Sequence, residues 1–257
     1  VRIIGIASGK GGVGKSVTTA NIGVALSSRF GKKVVVVDCN LTNPHLGLYL
    51  GGFSSWPITL NSVLKNEAEL EQSMYTHSSG LKIIPASFEL RHLQRVNMHR
   101  LKSRIKKTFD GYDADIVILD SSPGLTKDAM LALRCSDEVL FVATPHIPSI
   151  VDIAKCCTML KNNDAKPVGI ILNRVKKQRY ELSEDEIYQF TRLPILTKIP
   201  EDENVLKSTN FKVPVVTMSP NSKASHSFFN IAAEMIGQKY IPHTSFWGKI
   251  ISKFRRN

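Results

Sequence analysis

The residues best suited to chemistry lie near the start of the chain, in Gly9-Lys10-Gly11-Gly12-Val13-Gly14-Lys15-Ser16. Their spacing fits G-x-x-x-x-G-K-[ST], a loop that wraps a polyphosphate. Glycine lets the backbone turn its N–H groups inward as an anion-binding nest. A helix that starts there adds its positive end. On this reading Gly11, Gly12, Val13, Gly14 and Val17 supply backbone contacts. Lys15 reaches the β- and γ-phosphates, and the Ser16 hydroxyl ligates Mg²⁺. Lys10 is a second lysine inside the loop, which phosphate binding alone does not require. Two acids, Asp38 and Asp120, each close an apolar stretch. Mg²⁺ takes oxygen ligands and keeps most of its waters, so one or two carboxylates suffice. Asp120 fits the principal acid and Asp38 the second.

These residues need a scaffold that brings them to one edge. Arg2–Ala7 reads as a buried strand and Val17–Ser28 as a helix with Ile22 and Leu26 on its apolar side. Val34–Val37 is an all-apolar run, as in a strand covered on both faces. Further strands are expected at Leu81–Pro85, Asp115–Leu119, Glu138–Ala143, Pro167–Leu172 and Ile195–Lys198. Helices are expected at Leu60–Leu64, Ala68–Met74, Arg91–Phe109, Lys127–Leu133, Ile147–Leu160, Glu184–Phe190, Asp202–Ser208 and Ser222–Gln238. The alternation predicts an α/β fold: one doubly wound, mainly parallel sheet with helices on both faces, over residues 1–240. A ligand then belongs at the carboxyl ends of the strands.

The net charge of +12 is concentrated. Residues 91–107 carry Arg91, Arg95, Arg100, Lys102, Arg104, Lys106 and Lys107 with no acid. Residues 245–257 carry Lys249, Lys253, Arg255 and Arg256, again with no acid. Two segments therefore seek an anionic surface, and the fold as a whole does not. No apolar run has the length of a bilayer span, and no signal-peptide pattern precedes the first strand. Cys39, Cys135, Cys156 and Cys157 form no C-x-x-C pair. Buried, reduced thiols in the cytoplasm are the expectation.

As a whole, K-G-G-V-G-K-S resembles the deviant Walker A motif of the MinD/ParA family of P-loop ATPases. The resemblance runs from Arg2 to about Gln238 and is nearest to MinD-type members; Leu41–Gly51 resembles archaeal ones. It implies ATP and ADP with Mg²⁺, and an ATP-sandwich homodimer in which Lys10 reaches the partner's nucleotide. Asp120-Ser121-Ser122-Pro123-Gly124-Leu125 resembles the family's second switch, which senses the γ-phosphate. Asn173, with Arg174, resembles the adenine-binding position. Ile199-Pro200-Glu201-Asp202 resembles the loop that closes over the base, although a turn plus helix cap accounts for Pro200, Glu201 and Asp202 equally well. Iron–sulfur members of the superfamily carry cluster cysteines in motifs that Cys39 and Cys135 do not match. One position departs from the family pattern. The first switch usually holds a second acid two residues after the strand-end Asp, where it positions the attacking water; here that residue is Asn40. An amide can hydrogen-bond water but cannot take its proton. Slow hydrolysis with intact binding is therefore expected, with Lys10, Lys15, Asp38 and Asn40 around the reacting centre.

After Pro242, Phe246, Trp247, Ile250, Ile251 and Phe254 fall on one helical face and basic residues on the other, with Ser245 as a potential cap. That pattern suits an interfacial membrane helix, and the resemblance implies a membrane-targeting tail at the same place, 241–257. The expected protein is thus a peripheral ATPase on the cytoplasmic face. It would dimerise with ATP and dock on anionic membrane to position a division site or a cargo, with an activating or cargo protein as partner. Two other readings are a partitioning protein that binds DNA through 91–107 and a non-hydrolysing ATP sensor that acts as a scaffold.

Overall fold

The computed structural model describes residues 1–52, 55–109, 111–161 and 164–242. Within them, eight strands form one sheet in the order β3-β4-β2-β5-β1-β6-β7-β8. The strands are β1 (Arg2–Ala7), β2 (Val34–Asp38), β3 (Tyr75–Thr76), β4 (Lys82–Ile84), β5 (Ile116–Asp120), β6 (Glu138–Ala143), β7 (Lys166–Val175) and β8 (Ile195–Pro200). Each pairing is parallel except β3 with β4. The central strands β2 and β5 are buried along their whole length, as their continuous Val, Ile and Leu runs require.

The α-helices are α1 (Lys15–Val24), α2 (Leu46–Tyr49), α3 (Leu60–Leu64), α4 (Leu101–Phe109), α5 (Lys127–Leu133), α6 (Ile147–Leu160), α7 (Glu184–Thr191), α8 (Glu203–Asn210), α9 (Val215–Met218) and α10 (Lys223–Met235). One sheet face is covered by α1, α9 and α10, through Ile22, Leu26, Val215, Phe228 and Ile231. The other is covered by α3, α4 and α5 near β2 and β5, and by α6 and α7 near β6 and β7. The helix starts carry their expected caps. Thr126 accepts from Ala129 N, Ser222 from Ser225 N, and Ser183 and Glu186 form a capping box.

The largest correction concerns residues 91–109, which are not one helix. A 3₁₀ turn at Leu90–Leu93 is followed by Arg95 in the left-handed region, φ 61°. A second 3₁₀ turn spans Met98–Arg100, where Asn97 accepts from His99 N, and only then does α4 begin. The Asn97 cap and the strained Arg95 interrupt the helical repeat. Four of the basic side chains also face acids outside the 91–107 segment. Arg104 and Lys107 both pair with Glu69, at 2.9 and 3.1 Å, and their charges hold the Glu69 carboxyl below its usual range. Arg91 pairs with Glu89, and Lys102 lies 3.7 Å from Asp164.

Smaller differences follow from length. The segment at 68–74 is a 3₁₀ turn, Leu70–Ser73. The helix after the glycine loop closes with a π-turn at Ala25–Arg29. α2, α9 and the two-residue β3 are too short to leave a periodic signal. Cys39, Cys135 and Cys156 are buried and Cys157 is half-buried. Burial pushes the thiols up: Cys135 and Cys157 to about 11, Cys156 to about 12, and Cys39 well above its ordinary value. No described helix is long and apolar enough to cross a membrane. The tail expected at 245–257 lies outside the described residues.

Candidate functional site

The glycine loop links the end of β1 to the start of α1 at the carboxyl edge of the sheet. Gly14 stands at the N-cap with φ 92° and ψ 21°, and a Cβ there would come within 2.3 Å of Asn173 Nδ2. Both the backbone sign and the close approach demand glycine. The first helical hydrogen bond, Thr18 N to Gly14 O, is 2.9 Å.

Lys15 is buried, and its Nζ lies 2.6 Å from Asp120 Oδ1. Thr19, one helical turn on, places its hydroxyl 3.1 Å from Lys15 O and 3.2 Å from the same Asp120 oxygen. Asp38 and Asp120 are register partners on β2 and β5, so two buried carboxylates sit side by side with one lysine between them and the phosphate loop. Burial first, and the Asp120 charge second, push the Asp38 carboxyl upward; Lys15 opposes this. Both Asp38 oxygens accept backbone N–H groups, Asn40 N at 3.0 Å and Leu46 N at 3.1 Å, which fold the intervening loop back over the strand end. Asp120 Oδ2, Ser8 Oγ and Thr18 Oγ1 are buried with no hydrogen-bond partner among the described residues.

This donor set fits a hydrated divalent cation with a polyphosphate. The ligands are hard oxygens, and one buried carboxylate oxygen is orphaned. Ser8, the loop from Gly11 to Val17, Asn40, Asn43, His45, Tyr49, Pro123 and Arg174 surround a hollow of about 220 Å³. Ser16 is half-buried on its wall.

The two loops after β2 and β5 are tied to each other. Cys39 N donates to Asp120 O at 2.9 Å, and Ser122 Oγ to Cys39 O at 3.5 Å. Gly124, with φ 77°, donates its N–H to Ser8 O at 2.9 Å and so leans on the glycine loop. Asn40 is buried on the hollow, yet its amide is engaged within its own loop. Nδ2 donates to Asn43 O at 2.6 Å, and Thr42 Oγ1 reaches Oδ1 at 3.4 Å.

A neighbouring cavity of about 340 Å³ lies between Lys10, Gly12, Arg174, Tyr180, Glu181 and Glu201. Lys10 is exposed there, turned away from the hollow that holds Lys15. Asn173 sits behind the glycine loop, its Nδ2 donating to Val13 O at 2.8 Å. Arg174 follows in the left-handed region, φ 58°, and faces both cavities; a non-glycine residue there marks local strain. Pro200 closes β8, with Val175 as its register partner, and Glu201 N donates to Val175 O. Asp202 caps α8: one oxygen accepts from Asn204 N and Nδ2, and the other from Ala224 N. Its acceptors are thus engaged in the fold, while Glu201 borders the cavity.

Ser8, Thr19, Asn43, His45 and Tyr49 join the site without belonging to any of the motifs above. Thr19 had a signal, since it lies four residues after Lys15 on the same helical face. His45 and Tyr49, whose rings stack at 6.2 Å, had none, because the four-residue α2 that His45 precedes and Tyr49 ends shows no periodicity.

The model of the CobQ/CobB/MinD/ParA nucleotide-binding domain matches residues 4–215. An ATP-binding protein of Methanocaldococcus jannaschii is 36% identical over 237 residues, 92% of this chain and 88% of that protein. Among solved structures, the cell-division ATPase MinD of Pyrococcus furiosus superposes with a TM-score of 0.86 at 33% identity, covering 92% of this chain and 98% of that one. The septum site-determining protein MinD of Pyrococcus horikoshii, solved with Mg-ADP, gives 0.85 at 34% identity, covering 91% and 95%. The chain belongs to the MinD/ParA family of P-loop ATPases and shares its fold with the MinD members.

Proposed function

We propose that this chain is a MinD-like ATPase that binds Mg-ATP, forms a homodimer with nucleotide between the subunits, and docks reversibly on anionic membrane at the cytoplasmic face. Its task is spatial organisation, placing a division site or a cargo with the help of an activating or cargo protein. The observation that supports this best is the division of labour between the two lysines of the glycine loop: Lys15 is buried against Asp120, and Lys10 is exposed on a separate cavity.

Bound Mg-ATP supplies the γ-phosphoryl group that passes to water. Glycine-loop N–H groups and Lys15 hold the phosphates, with Lys15 released from Asp120 as it turns to them. Ser16 and the orphaned Asp120 oxygen hold the cation, with Asp38 beside them. Asn173 and Arg174 flank the base, and Pro200, Glu201 and Asp202 form the loop next to it. Lys10, free of its own hollow, reaches the partner's nucleotide. Residues 1–240 form the ATPase domain and 241–257 the docking tail.

The DNA-binding alternative draws less support, because the 91–107 segment is broken and four of its cations face carboxylates. Co-sedimentation with anionic vesicles and with duplex DNA, each with and without ATP, tests the choice. ATP-dependent pelleting with vesicles alone is expected. Pelleting with DNA alone would overturn the membrane reading, and absence of any ATP turnover would leave the scaffold reading.

Asn40 sets the expected rate. Its amide N–H bond to Asn43 O cannot be made by a carboxylate. Asn40→Asp therefore loosens the loop, at a cost of about 1 kcal/mol, and turns an acid toward the hollow. Steady-state phosphate release should rise severalfold while the melting temperature falls slightly. Unchanged turnover would show that another group positions the water.

A further inference from the structure

On the strand-entry edge of the sheet, opposite the glycine loop, lies a hollow of about 560 Å³. Ser28, Arg29, Phe30, Phe229, Lys239 and Tyr240 are on its walls. The π-turn that ends α1 delivers Arg29 to this place. The guanidinium carbon lies 4.8 Å from the centre of the Phe229 ring and 5.1 Å from that of Tyr240. The two rings are 5.4 Å apart, and the Tyr240 hydroxyl is fixed 2.7 Å from His226 Nδ1.

Arg29 is thus held by ring faces, which attract a cation without occupying its N–H donors. Among the described residues no carboxylate lies within ion-pair distance of Arg29 or Lys239, and both are exposed. The Ser28 hydroxyl already donates to Val24 O at 2.7 Å, so the donors offered to the hollow come from the two cations. The remaining wall is apolar, with Val216 and Pro220 beside Phe30. At the rim Ile241 is 79% exposed, and the chain continues into the basic, apolar segment 243–257.

We propose that this hollow binds the phosphate headgroup of an anionic phospholipid, with Arg29 and Lys239 on the phosphate and the apolar wall against the glycerol end. The inference rests on the membrane-docking reading above and adds a site on the folded domain. A soluble anion would use the cations but leave the apolar wall and Ile241 in water; a lipid at an interface covers all three.

The test is vesicle sedimentation of the full chain with Mg-ATP, on phosphatidylcholine alone and on phosphatidylcholine mixed with phosphatidylglycerol. Arg29→Gln should weaken binding to the anionic vesicles about five- to tenfold. Arg29→Lys, which keeps the charge and loses the planar fork, should recover only part. Lys166→Gln, an equal charge loss on the same sheet edge, should change binding less than about twofold. ATP affinity should stay unchanged in all three. If Arg29→Gln fails to fold, Lys239→Gln carries the same expectation. The proposal is overturned if Arg29→Gln binds like Lys166→Gln. It is also overturned if the loss is equal on neutral vesicles, as when the hollow holds an apolar side chain of the tail, or if millimolar inorganic phosphate displaces the protein fully. A parallel deletion of Ser245–Asn257 separates the two readings. Loss on deletion with none from Arg29→Gln leaves the tail standing and removes the headgroup site; the reverse pattern removes the tail and keeps the site.

Discussion

A Lys15→Ala chain should bind ATP at least about a hundredfold more weakly than the wild type. A hydrogen bond to a charged group contributes about 1.5–3 kcal/mol, and Lys15 would make such bonds to two phosphates, which converts to two or more decades in affinity. No other described cation can replace it. Lys10 is exposed on a different cavity, and Arg174 stands across the hollow on the far strand. The same substitution also strips the buried Asp120 of its partner. Breaking a buried pair from one side costs about 3–5 kcal/mol, so weaker binding and weaker folding need to be told apart. Lys15→Ala combined with Asp120→Asn removes the uncompensated charge. That double variant should recover much of the melting temperature and still fail to bind in calorimetry. If Lys15→Ala alone binds within a few fold of the wild type, the phosphate role falls and Lys15 is only the counter-ion of Asp120.

Removal of Ser245–Asn257 should abolish sedimentation with anionic vesicles while ATP affinity and melting stay as they were. The described fold is complete before that segment: α10 ends at Met235, and Arg2 donates to Met235 O to fasten it to β1. Each basic residue near an anionic leaflet contributes about 1 kcal/mol, and the tail has four. One tail alone should hold weakly. Two tails on a dimer would make the second docking intramolecular, so affinity should rise steeply. ATP would then control docking through valency, with no need to change the tail itself. A Lys10→Ala chain should lose vesicle binding too, and fusion to an unrelated dimerisation module should restore it. Persistent ATP-dependent binding by the truncated chain would move the membrane contact onto the folded domain.

The parts of this molecule that could be read from sequence are those with long, repeated physical signals. β2 and β5 announced themselves by unbroken apolar runs, and α3, α5, β6 and α6 begin and end at the residues expected. The placing of the glycine loop and the two strand-end acids at one sheet edge was legible because a motif and a periodicity agreed; the Lys15–Asp120 contact was not. What stayed hidden depends on contacts distant in sequence or on single backbone angles. Nothing local says that Arg95 turns left-handed, which breaks the helix expected at 91–109, or that Glu69 waits for Arg104 and Lys107, which offsets part of its charge. The amide of Asn40 was read for what it lacks as a base. Its donation to Asn43 O, which an acid could not make, emerged only from the folded loop. His45 and Tyr49 reach the hollow on a helix too short to predict.

On the proposed function, ATP joins two copies of this chain through Lys10. Sedimentation velocity of the wild type and of Lys10→Ala, each with Mg-ATP and with Mg-ADP, tests it directly. Lys10 is exposed, so its loss should leave folding and ATP affinity nearly unchanged. A dimer is expected for the wild type with Mg-ATP, and monomers in the other three samples. A Lys10→Ala chain that dimerises with Mg-ATP as fully as the wild type, or a wild type that stays monomeric with Mg-ATP bound, would contradict it.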